Sequence, residues 1–100
     1  MHVIVDFTIV PLGTGISLSP YIAEVERVLE RTGLTYALHA NGTGIEGDWD
    51  EVMEAIRTCH ETLHGMGVPR VHTVLQAGTR TDRPQHMADK IASVESRLGR

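Results

Sequence analysis

His2-Val3-Ile4-Val5-Asp6-Phe7-Thr8-Ile9-Val10 alternates with a period of two, with Val3, Val5, Phe7 and Ile9 on one side and His2, Ile4, Asp6, Thr8 and Val10 on the other. Side chains of an extended chain point alternately to opposite faces, so this is a strand with one strongly apolar face. The rest of the chain must supply a layer to cover Val3, Val5, Phe7 and Ile9.

Pro11, Gly13 and Gly15 break the strand, and Ser19 offers an N-cap oxygen ahead of Pro20, whose missing N–H costs nothing in a first helical turn. Tyr21, Ile22, Val25, Val28 and Leu29 then recur at helical spacing as far as Thr32, where Gly33 supplies a left-handed stop. Leu34 to Ala40 reads as a second strand, Asn41-Gly42 as a hairpin turn, and Thr43 to Glu46 as a short third strand ended by Gly47. Asp48 with Glu51 forms a capping-box pattern, so a second helix starts at Trp49 with the stripe Trp49, Val52, Met53, Ile56, Cys59 and Leu63. Gly65, Gly67 and Pro69 close it. Val71 to Ala77 is a fourth strand. After the polar loop Gly78 to Pro84, the residues Met87, Ile91, Val94 and Leu98 make a narrow stripe on a last helix.

The order βαββαβ plus a C-terminal α is a split βαβ arrangement, and it predicts an α+β, ferredoxin-like sandwich over residues 1–100 as a single domain. Right-handed crossovers place the first two helices on one face of a four-stranded antiparallel sheet. The opposite face, with Ile4, Thr8, Val10 and Val74, is left bare, and an apolar sheet surface of that size predicts association with another copy.

Composition narrows the function. Apolar residues make up 41% and charged residues 22%, which fits a packed globular core and not a disordered chain. Thirteen acidic against nine basic residues give a formal charge of -4, too acidic to recruit a phosphate backbone or anionic lipid. Phe7 and Tyr36 are too few for the aromatic pairs with which an RNA-recognition sheet of this topology stacks bases, so nucleic acid is not the expected partner. No apolar run approaches the roughly 20 residues that span a bilayer. One cysteine, Cys59, and a strand-like start without a signal-peptide core point to the cytoplasm.

Two segments carry candidate chemistry. His60-Glu61-Thr62-Leu63-His64 matches the zinc-protease pattern HExxH, and Gly67 extends it, but Arg70 stands where a third histidine belongs. His60 also falls near the centre of the apolar stripe while Glu61 swings outward, so the general base would point away from the metal. Scattered metal binding by His39, His60, His64 or His72 is a further arrangement these imidazoles allow. Thr43-Gly44-Ile45-Glu46-Gly47 places a hydroxyl and a carboxylate on a strand flanked by glycines that let a ligand come close. Pro11 to Ser17 lacks the spacing and lysine of a phosphate loop, and Cys59 on the buried stripe reads as a packed thiol.

The runs Asp6 to Gly13, Gly42 to Asp48, Cys59-His60-Glu61 and Asp89 to Val94, taken together in this order, resemble the small thiamine-binding protein family over nearly the whole chain. The resemblance implies a ferredoxin-like fold, dimers that pair into tetramers, and non-catalytic binding of thiamine or its hydroxymethylpyrimidine portion, with thiamine a ligand and not a cofactor. In it, Thr43 and Glu46 belong to the hairpin signature and His60 to that of the second helix. An aminopyrimidine presents ring nitrogens and an exocyclic amine that a carboxylate, hydroxyl or imidazole can pair with. Glu46 is the leading candidate contact, with Thr43 and His60 beside it; Thr8 and His39 join on grounds of face and proximity. The chain departs from the family's pattern at Gln76, Ala77 and Gly78, before Arg80, where a basic and then an acidic residue are common. Two other readings stand beside this one: a zinc-binding protein or hydrolase using His60, His64 and Glu61, and an interaction module with no small ligand.

Overall fold

A computed structural model describes all 100 residues, Met1–Arg100. Its elements run β1 (His2–Leu12), α1 (Ser19–Thr32), β2 (Thr35–His39), β3 (Gly42–Asp48), α2 (Trp49–Gly65), β4 (Arg70–Gly78) and α3 (Met87–Arg97). The four strands form one sheet in the order β2-β3-β1-β4, antiparallel throughout. That order is the ferredoxin-like one, with α3 added.

The alternation in β1 dictates the core. Val3, Val5 and Phe7 are at most 1% exposed, Ile9 is 6% exposed, and Ile45 of β3 joins them under the helices. Val25, Val28 and Leu29 from α1 and Val52, Ala55, Ile56, Cys59 and Leu63 from α2 complete this layer with Val68. Trp49 does not join the α2 stripe; as the first residue of the helix it lies beyond the edge of the core, 37% exposed. The Asp48 carboxylate caps α2 by accepting from the N–H of Asp50 at 3.1 Å.

Several boundaries differ from the sequence reading by a residue or two, β2 at Thr35–His39 and β4 at Arg70–Gly78 among them, and those of β3 and α1 have a physical reason. β3 is longer than Thr43 to Glu46 because Gly47 and Asp48 still pair with β1, opposite Val3 and His2. Gly42 is the first residue of β3, paired with His39, and the hairpin loop is Ala40-Asn41. A side chain at Gly42 would put its Cβ 2.6 Å from the carbonyl oxygen of Phe7, so only glycine lets the strands meet there. Helix α1 begins at Ser19 itself, with Leu18 as its N-cap; the Leu18 carbonyl accepts from Tyr21 and Ile22, and Ser19 makes no side-chain cap.

β1 also continues through Pro11 to Leu12. Its pairing with β3 stops at Phe7 opposite Thr43, so from Thr8 onward it is held by β4 alone and behaves as an edge, where proline is tolerated. The start of α3 crosses the helix-free face of the sheet above Gly44, where an added Cβ would lie 3.0 Å from Met87 Sδ. That face is therefore bare only in part. No residue of α3 is buried, and its apolar stripe faces outward with Ile91, Val94 and Leu98 all more than half exposed.

Candidate functional site

The early end of the β1–β3 pairing leaves a notch between the outer half of β1, the hairpin tip and the start of α1. The notch is a cavity of about 360 Å³. Its walls are mostly apolar: Phe7, Ile9 and Val10 from β1, Leu18, Ile22 and Val25 from the first helical segment, and Leu38 from β2. A few polar groups enter it, among them Thr8, Glu26, His39 and Thr43. A mostly apolar hollow with a few convergent polar groups is the usual form of a small-molecule site.

Glu26 and Thr43 are its chemical centre. Thr43 Oγ1 donates to Glu26 Oε2 at 3.2 Å, and Thr43 is 4% exposed. Glu26 Oε1 is buried and has no hydrogen-bond partner. Burial pushes the Glu26 carboxyl above its ordinary range, against the pull of the Thr43 hydroxyl in the other direction. An unpaired buried carboxylate oxygen is costly and attracts a donor from any ligand that reaches it. Sequence reading misses Glu26 because, one residue after Val25 on an amphipathic helix, it looks like one more solvated acid.

The five residues expected from sequence do not share one place. Thr8, His39 and Thr43 all line the notch. The Thr8 hydroxyl donates to the Asn41 carbonyl at 2.7 Å. His39 Nδ1 accepts from the Asn41 N–H at 3.3 Å, which leaves the Nε2–H to donate to Asp6 Oδ1 at 2.7 Å. Glu46 and Thr43 stand three residues apart on one strand and so face opposite sides of the sheet. Glu46 lies under the start of α3, only 5% exposed, where Oε2 meets His2 Nε2 at 3.1 Å, the Met87 N–H at 3.0 Å and His86 Nδ1 at 3.3 Å. His60 points to β4, where Nε2 bonds to Thr73 Oγ1.

The HExxH residues are engaged elsewhere. His64 Nδ1–H donates to the Val68 carbonyl at 2.8 Å, and Glu61, well exposed, pairs with Arg57 at 3.2 Å. Burial, and then the neighbouring His64, hold the His60 imidazole below its usual pKa. Nor do His39, His60, His64 and His72 converge; the histidines that gather with a carboxylate are His2 and His86. Cys59 is fully buried and its thiol is pushed up to about 12, by burial first and by the Glu26 charge second. No helix is long and apolar enough to cross a membrane.

Fold and notch together define a ferredoxin-like α+β protein with a mostly apolar cavity at the free edge of its first strand. The chain belongs to the thiamine-binding protein family, whose model matches residues 5–95. A UPF0045 protein of Synechocystis is 52% identical over 98 residues, covering 98% of this chain and 81% of its own. A relative from Eremothecium gossypii, of the same designation, is 43% identical over 99 residues, covering 98% and 94%. Among solved structures, a hypothetical protein from Methanocaldococcus jannaschii superposes with a TM-score of 0.87 at 31% identity, covering 94% of this chain and 96% of that one. A Thermotoga maritima protein whose name assigns it provisionally to thiamine biosynthesis or salvage superposes with a TM-score of 0.81, covering 94% and 99%; at 18% identity it speaks to the fold alone.

Proposed function

We propose that the protein binds the aminopyrimidine shared by thiamine and hydroxymethylpyrimidine, without chemical turnover, in the notch beside Glu26 and Thr43. The observation that carries this is the buried, partnerless Oε1 of Glu26. An exocyclic amine donates to such an oxygen and to the free lone pairs of the Thr43 hydroxyl, whose own proton goes to Glu26 Oε2. Apolar walls from Phe7, Ile22 and Leu38 suit the faces of a flat ring. Membership of a thiamine-binding family supports the same ligand class. The Cys59 thiol, pushed up to about 12 and outside the lining of the notch, takes no part in this reading.

Within this reading Thr8 and His39 shape the mouth of the notch, and Glu46 and His60 lie outside it. We read the working unit as a cytoplasmic homo-oligomer, dimers pairing into tetramers. The outward stripe Ile91, Val94 and Leu98 on α3 and the exposed Val74 on the helix-free sheet face give it an apolar surface to bury.

Isothermal titration with hydroxymethylpyrimidine and with thiamine tests the ligand. Saturable binding by the native protein that Thr43→Val and Glu26→Gln both weaken is the expected result. Binding of neither compound would overturn the reading and leave a ligand-free interaction module in its place.

A further inference from the structure

On the opposite side of the sheet from the notch, three side chains distant in sequence aim their ligating atoms at one point. His2 comes from the start of β1, Glu46 from β3 and His86 from the residue that caps α3. Their ligating atoms all lie within 4.8 Å of one another, with Glu46 Oε2 at 3.1 Å from His2 Nε2 and 3.3 Å from His86 Nδ1. Around a tetrahedral ion with bonds of about 2.0–2.1 Å, neighbouring donor atoms stand about 3.3 Å apart. The two imidazoles meet edge to face, their centroids 5.1 Å apart and their planes at 77°, so two rings present nitrogens to one carboxylate without stacking.

We propose that His2, Glu46 and His86 form a binding site for a divalent transition-metal ion. Two imidazoles and a carboxylate are borderline donors that suit zinc, cobalt or nickel better than magnesium or calcium. The carboxylate is nearly fully buried, where its charge needs compensation, and its hydrogen bonds with the Met87 N–H at 3.0 Å and His2 Nε2 at 3.1 Å supply only part of it. His2 and His86 also line a cleft of about 560 Å³ walled by Gln76, Arg80, Arg83 and Lys90, so a fourth coordination position opens toward that cleft. The cation would clasp the start of α3, none of whose residues is buried, to the sheet. The site is separate from HExxH and from the notch, so it stands whether or not a pyrimidine binds.

The test is a titration of chelator-treated, full-length protein with zinc alone, and with cobalt to read the coordination from its visible absorption, no pyrimidine being present. The expected result is saturable uptake of one ion per chain with a tetrahedral cobalt spectrum, lost in His86→Ala and in Glu46→Gln and retained in the double variant His60→Ala with His64→Ala. His86 is mostly exposed, so its variant should keep the native circular dichroism. Absence of saturable uptake, uptake that survives His86→Ala in a folded protein, or uptake lost in the His60 and His64 variant would each overturn the proposal.

Discussion

The hydroxyl of Thr43 reaches across from β3 to the carboxylate of Glu26 on α1, 3.2 Å away, and satisfies one of its oxygens while the other stays buried and unpaired. This polar bridge between strand and helix therefore ends on a group that is only half-satisfied. A purely structural hydrogen bond in a core would leave both carboxylate oxygens partnered; this one leaves a buried acceptor without a partner, on a residue that lines the notch.

The pH dependence of the ligand-free protein should report this acceptor. Burial raises the folded pKa of Glu26 above its ordinary 4.5. Between 4.5 and the higher folded value the native state holds more protons than the unfolded one, so stability falls as pH rises through that window. Glu26→Gln should flatten this part of the profile in chemical-denaturation midpoints. A variant with an unchanged slope would mean that Glu26 is ordinarily solvated.

His60 should act in the opposite sense at higher pH. Its folded pKa is depressed from 6.5 by burial and by His64, so the unfolded state takes up the proton first as pH falls below about 6.5. Stability is complete above that pH and declines below it. His60→Gln, which keeps a polar partner for Thr73 but cannot titrate, should lose that decline; persistence of the full decline would contradict the assignment.

Gly42 and Gly44 should differ sharply although they are two residues apart on one strand. A Cβ at Gly42 would collide with the Phe7 backbone at 2.6 Å, so Gly42→Ala should cost about 1–3 kcal/mol as an overpacked site and distort the notch. At Gly44 the nearest atom is the flexible Met87 Sδ at 3.0 Å, so Gly44→Ala should cost less and mainly displace the start of α3. Equal losses in urea unfolding would show that the hairpin backbone, and not these contacts, sets the effect.

The fold is legible in the sequence because its signals are local. The alternation from Val3 to Ile9, the helical spacing from Tyr21 to Leu29 and the glycine stop at Gly33 each follow from side-chain periodicity or backbone freedom, and the structure carries all three. At Ser19 and Gly42 the element ends fall one residue away from expectation because Leu18 and the approach of Phe7, not local propensity, decide them. The site is harder to read. Thr43 and Glu46 sit in one short signature, yet strand alternation sends them to opposite faces of the sheet. Glu26 meets Thr43, and His86 meets Glu46, only through tertiary folding between distant segments; no spacing rule links such pairs. The HExxH string is the loudest motif, and its missing third histidine already weakens it; His64 and Glu61 prove to be bound to the Val68 carbonyl and to Arg57.

A crystal structure of the protein grown with hydroxymethylpyrimidine would decide whether the notch is the binding site. The ring should lie in the notch between Phe7, Ile22 and Leu38, with its exocyclic amine within hydrogen-bonding distance of Glu26 Oε1 and Thr43 Oγ1. A ring seated instead in the open cleft beside Gln76, Arg80 and Lys90, with the notch empty and the Glu26–Thr43 bridge unchanged, would contradict the assignment.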